Sequence, residues 1–182
     1  MISLPNRAVI AACGFISAFG LTEPALADPF TWAPGDYGTI VNNVLTRVGT
    51  ELRLDLKRCE DAPSIRCRFS SGYVDILVEG RDQSREMQIE RIIIAADILK
   101  NHPAVQPHVI VTDAFIALTA TMMVFDPDLP PDRRSAMVSR LVTAVHASGH
   151  GEDSGIAADY VVDLHQGVST WLVMNVTPKS AP

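Results

Sequence analysis

Polar and apolar residues alternate without a break over residues 51–57, with Leu52, Leu54 and Leu56 on one side and Glu51, Arg53, Asp55 and Lys57 on the other. A period of two belongs to a strand with one face in a core. Residues 65–69 (Ile-Arg-Cys-Arg-Phe) alternate again, with Cys67 on the apolar side. Between them, Glu60-Asp61-Ala62-Pro63-Ser64 has turn chemistry. The pattern therefore predicts a hairpin with strands over 50–58 and 65–70. Ser71-Gly72 makes a tight connection to a third strand over 73–79, which Gly80-Arg81-Asp82-Gln83-Ser84 brings to an end.

Residues 85–99 carry two patterns at once. Ile89, Ile92, Ile93, Ala96 and Leu99 fit a helical stripe, but Ile92-Ile93-Ile94 is a β-branched run. The turn before it also invites a hairpin partner for the third strand, so a fourth strand is predicted over 86–95. His102-Pro103 and Gln106-Pro107 then break the chain.

Helical periodicity marks three other segments. Ile40, Val41, Val44, Leu45 and Val48 share a stripe opposite Asn42, Asn43, Thr46 and Arg47, predicting a helix over 36–48 that Gly49 stops. A second helix is predicted from a cap at Thr112 or Asp113 to Phe125. Its apolar residues cover nearly the whole circumference, so it should be the most buried. A proline-rich linker, in which Asp126 and Asp128 cap the next helix or stay solvated, leads to a third helix over 132–147. Asp132 is its expected cap, and Met137, Val138, Leu141, Val142 and Val145 form its stripe. Residues 148–155 read as a loop, followed by strands over 158–164 and 169–176.

The order is helix, four strands, two helices, two strands. Grouped strands imply an α+β fold: an N-terminal helix, a four-stranded antiparallel meander with a hairpin disulfide, two helices and a C-terminal β-hairpin. That last hairpin either extends the sheet or forms a separate ribbon.

The first residues change the chemistry of the rest. Arg7, the apolar run from Ala8 to Leu21 and Ala25-Leu26-Ala27 have the layout of an export signal cleaved after Ala27. The run is short of the ~20 residues that cross a bilayer, and no later stretch is expected to span one. A rival lies in Ile10-Ala11-Ala12-Cys13-Gly14, a lipobox-like motif in which Cys13 would be lipidated and anchor the protein. Only Ala8 to Ala12 then separate it from Arg7, and the apolar run continues well past it. The expected organisation is a signal peptide over 1–27 and one exported, soluble domain over 28–182, with 176–182 a short flexible tail.

Cleavage removes one base, Arg7, and one acid, Glu23, so the net charge stays at −6. An acidic chain argues against nucleic acid and anionic membrane surfaces as partners. Cys59 and Cys67 are the thiols that remain, and in an exported chain such a pair is expected to form a disulfide across the hairpin. The spacing is not Cys-x-x-Cys, which argues against a redox pair.

One cluster could carry chemistry. His146 and His150 lie four apart near a helix end with Glu152 beyond, a donor set that could hold a metal in a small hydrolase. Against it, the glutamate of a His-Glu-x-x-His helix is absent, Gly149 should end the helix before His150, and His146 also suits a helix C-terminus electrostatically. No phosphate-binding glycine loop, dinucleotide fingerprint or Gly-x-Ser-x-Gly elbow occurs, so no cofactor is expected. Met122-Met123 reads as core filling. The expectation is a periplasmic or secreted protein that binds or supports another envelope protein, acting through sheet edges or the face opposite the helices. The metal-dependent hydrolase is the alternative. The sequence names no substrate, partner or oligomeric state.

Overall fold

A computed structural model describes residues 29–61, 64–83, 86–98 and 105–179. The export signal, its cleavage point at Ala27 and the alternative lipidation site Cys13 lie outside the described residues. Two short 3-10 turns, Pro29–Thr31 and Pro34–Asp36, precede helix α1 (Tyr37–Arg47). Strands β1 (Asp55–Glu60), β2 (Ile65–Ser71), β3 (Val74–Gln83) and β4 (Glu86–Asp97) follow. Then come helices α2 (Pro107–Phe125) and α3 (Pro131–Ser148) and strands β5 (His150–Ser154), β6 (Ala158–Gln166) and β7 (Thr170–Pro178). The strands form one antiparallel sheet in the order β1-β2-β3-β4-β7-β6-β5. The fold is α+β, as the pattern implies, with two meanders joined where β4 pairs with β7.

Alternation decides which residues face the helices. Cys67, Phe69, Val74, Ile76, Val78, Ile92, Ile94, Ala96, Leu172, Met174, Val176, Tyr160 and Val162 are all buried. The pairing register sets them side by side: Phe69 beside Ile76, Ile76 beside Ile94, Ile94 beside Met174, Met174 beside Val162. Over this face, α1 lies on β2, α2 on β3 and β4, and α3 on β5 and β6. Phe125 near the centre meets the rings of Phe30, Trp32 and Tyr37 at 5.0, 5.8 and 5.7 Å between centroids. The Tyr37 hydroxyl shares a 2.7 Å hydrogen bond with Thr121, so the deepest tyrosine is polar-satisfied.

Several boundaries differ from expectation, each for a local reason. β1 starts at Asp55 rather than near residue 50, because the Asn42 side chain takes the Leu54 ladder positions. Its amide donates to the Leu54 carbonyl at 2.9 Å, and its oxygen accepts from the Leu54 N–H at 2.8 Å. A register shift between Leu56 and Arg58 then leaves Leu56 53% exposed. Helix α2 begins at Pro107, not at Thr112 or Asp113. Proline at the first helical position has no N–H to leave orphaned, and the Thr112 hydroxyl donates back to the His108 carbonyl at 2.8 Å. Helix α3 likewise opens on Pro131, so Asp132 lies in its first turn rather than capping it.

Two further corrections concern the C-terminal part. Residues 150–154, expected as loop, form β5, which makes the C-terminal unit a three-stranded meander within the main sheet rather than a hairpin. Residues 176–178, expected in the tail, are paired in β7, with Val176 fully buried. The Lys179 N–H also donates to the Ala157 carbonyl at 2.9 Å. Against expectation too, one helix, Pro107–Phe125, is long and apolar enough to cross a membrane, with a mean hydropathy of 1.7. Of that stretch, 67% is buried inside the fold, as in the core helix of a globular domain.

Candidate functional site

The expected histidine cluster is not assembled as a helix face. Gly149, with φ of 78°, turns the chain out of α3, leaving His146 in the helix's last turn and His150 at the start of β5. His150 and Glu152 do lie on one face of β5, with 4.0 Å between Nε2 and the Glu152 carboxylate. The closer partner is Asp163 on β6, directly across the ladder, whose Oδ1 lies 2.7 Å from His150 Nδ1. That hydrogen bond, with smaller attractions from Asp163 and Glu152, raises the His150 pKa above 6.5. Among the described residues, no group of three or more His, Cys, Asp or Glu side chains is placed to hold a metal ion.

Asp126 is a second polar centre, and it is buried rather than capping or solvated. Its carboxylate accepts from the Ile156 N–H at 2.9 Å, the Ala157 N–H at 3.1 Å and the Tyr160 hydroxyl at 3.3 Å. Burial raises its pKa, and those bonds together with the Arg134 charge oppose the rise. Arg134, also buried, donates to the Leu129 carbonyl at 2.8 Å. A Cβ at Gly155 would sit 1.8 Å from Asp126 Oδ2, so only glycine lets the β5–β6 turn close on this carboxylate. The arrangement holds the α2–α3 linker against the β5–β6 turn, a structural duty that the proline-flanked sequence context did not reveal.

The broad feature of the surface is the second face of the sheet. Most of its central positions are apolar: Leu77 on β3, Ile93 and Ala95 on β4, Val161 on β6, Trp171 and Val173 on β7, all half-buried, with the polar Asn175 of β7 between Ile93 and Val161. Leu77, Ile93, Val161, Trp171 and Val173 stand outside the hydrophobic core on the other side. The ladder aligns them in rows. One row runs Arg68, Leu77, Ile93, Asn175, Val161, Glu152, and the next runs Ser70, Asp75, Ala95, Val173, Asp163, His150. At the end of β2 and β3 an ion ladder closes the patch, with Glu79 between Arg66 at 3.2 Å and Arg91, whose Nε donates to it at 2.9 Å. At the β5–β6 end Asp159 accepts from Ser154 and lies 3.7 Å from Lys179.

The sequence held a signal for this face. Ile76-Leu77-Val78, Ile92-Ile93-Ile94 and Trp171-Leu172-Val173-Met174 are apolar at successive strand positions, which is the mark of a strand with apolar neighbours on both sides. Cys59 and Cys67 are bonded, eight residues apart, across β1 and β2 with 4.1 Å between their Cα atoms, as the hairpin reading expects. No protein-family model, curated protein or solved structure matches the chain.

Proposed function

We propose that this chain is an exported envelope or secreted protein that works by binding another macromolecule through the face of its sheet opposite the described helices. One observation carries the reading. Leu77, Ile93, Val161, Trp171 and Val173 form an apolar patch, rimmed by ion pairs, on the side of the sheet away from the core and its helices. An apolar centre inside a polar rim is the anatomy of a protein interface. The disulfide supports an oxidising compartment, in line with the leader-like N-terminus.

The sheet edges suit binding less well. β1 carries Lys57 and Arg58 and a register shift between Leu56 and Arg58. β5 has five residues, three of them His150, Glu152 and Asp153. Short, charged and bulged edges discourage strand addition. The open face therefore takes precedence over the edges.

Site-specific photo-cross-linking in the native cell tests this. A cross-linker at Ile93 or Val173 should give a discrete adduct, and one at exposed Arg133 on α3 should give none. Absence of adducts from both face positions, in protein that has kept its disulfide, would remove the reading.

A further inference from the structure

We infer that the occupant of the open face is a second copy of this chain, stacked face to face about a twofold axis. The inference rests on the binding reading above and names its partner. It comes from the charge layout of the face, which is polar end to end. Arg66 and Arg68 stand on β2, and Arg68 has no ion-pair partner among the described residues. Glu152, Asp159 and Asp163 stand at the other end, on β5 and β6. Between the ends lies the apolar patch. A surface that is positive at one end and negative at the other complements itself when reversed, and reversal is what a twofold axis does.

The register makes the pairing specific. An axis between the sheets and parallel to the strands exchanges β2 with β5, β3 with β6 and β4 with β7 across the interface, given the order β1-β2-β3-β4-β7-β6-β5. Within the row that runs from Arg68 to Glu152, Arg68 of one copy then lies over Glu152 of the other, and does so twice. Leu77 lies over Val161, and in the next row Ala95 lies over Val173. Two kinds of like-charge approach remain, Asp75 to Asp163 and Glu79 to Asp159, each also made twice. Each has a cationic or protonatable group already beside it: His150 at Asp163, Arg66 and Arg91 at Glu79, and Lys179 at Asp159.

Size agrees with this use. Seven strands ~4.8 Å apart and about seven residues long give a face of roughly 30 by 25 Å, on the order of 700 Å² per copy. Doubled, that falls within the ~1,200–2,000 Å² of a standard specific interface. Aligned sheets with interdigitating side chains pack face to face at ~10 Å.

Sedimentation velocity on the purified exported protein tests the inference. The parent should run at twice the chain mass at micromolar concentration. Arg68→Glu and Glu152→Arg should each weaken the dimer about tenfold or more, and the two together should restore much of it. Ile93→Glu should give monomer. Far- and near-ultraviolet circular dichroism of each variant checks that the fold is kept, as expected for side chains outside the core. A parent that stays monomeric at tens of micromolar overturns the second copy, and so does a dimer indifferent to all four variants. The cross-linking result separates the two failures. Monomeric protein with an adduct of other than twice the chain mass at Ile93 removes the second copy and keeps the binding face. Monomeric protein with no adduct removes both.

Discussion

The two outer strands of the sheet, β1 and β5, are fastened by opposite means. β1 is tied covalently, through Cys59 to Cys67 on β2, and all six of its residues are exposed. β5 has no such bond. Helix α3 lies directly on it, where a Cβ at Gly151 would come within 3.0 Å of Ala144 Cβ and 3.1 Å of the Leu141 carbonyl. Arg140 donates to Asp153 at 2.8 Å, and the turn after β5 hangs from the buried Asp126 carboxylate. Neither strand contributes a large buried side chain to the core, since Leu56 is half exposed and β5 has glycine at its inward position. An edge strand without apolar anchorage needs another tie. A disulfide ties without a cover. A carboxylate ties only if it is covered, and it then depends on every partner being present.

The largest effects should therefore come from the carboxylate side. Asp126→Ala would leave two backbone N–H groups and the Tyr160 hydroxyl without their acceptor in a buried site, and would remove the negative charge that attracts the Arg134 guanidinium. Removing one partner from such a buried polar group costs about 3–5 kcal/mol. Gly155→Ala would force a Cβ into the same carboxylate and should cost about 3 kcal/mol. Urea unfolding of the oxidised protein measures both. A loss under ~1 kcal/mol for Asp126→Ala would mean that β5 is held by α3 alone.

The disulfide should matter less. Closing so short a loop, with Cys59 and Cys67 eight residues apart, contributes ~2–3 kcal/mol on the chain-entropy account. The Cys59→Ser, Cys67→Ser double variant should lose that amount, and reductant should take the same from the parent while leaving the variant unchanged. Hydrogen exchange sharpens the contrast. Cutting the disulfide should speed exchange of β1 and β2 amides and leave β5 and β6 protected, whereas Asp126→Ala should do the reverse. Equal acceleration at both edges would show that the two halves open as one unit.

The same contrast governs what could be read from the residues alone. The β1 side was legible because alternation, turn chemistry and two cysteines speak locally. The disulfide and the strands of that meander follow from them. Residues 86–95 lie in a strand, as their β-branched run implies, and the structure explains why the segment imitates a helix. A register shift opposite Glu79 and Gly80 puts Arg91 across from Glu79 but Ile89 across from Gly80, so one residue is extra. Ile89 and Ile92 thus both face the core at a spacing of three, which a straight strand forbids and a helix favours. β5 was illegible because its inward residue is Gly151, placed there by the close approach of α3 rather than by hydrophobicity. Asp126 was illegible for a related reason. Its partners are backbone N–H groups thirty residues away, which no local pattern announces. The apolar outer face is visible in triplets such as Ile92-Ile93-Ile94, but only the pairing register shows which member of each faces away from the core.

The smallest effect expected sits on the surface of the β5 side, where His150 meets Asp163 across the β5–β6 ladder. The hydrogen bond that His150 donates to Asp163 raises its pKa above the ordinary 6.5, so the folded state binds the proton more tightly than the unfolded chain does. A raised histidine pKa adds stability that is complete below 6.5 and fades as pH climbs through the folded value. The ring is exposed, so solvent screens the pair and the gain is small. His150→Gln should unfold slightly more readily than the parent in mildly acidic buffer and identically well above neutrality. Proton NMR gives the direct reading: His150 should titrate above 6.5 in the parent, and Asp163→Asn should bring it back down. A titration at or below 6.5 would show that Asp163 does not hold the ring in solution. It would also leave Asp163 the acid with no cation beside it in the face-to-face stack, turning its approach to Asp75 into plain repulsion.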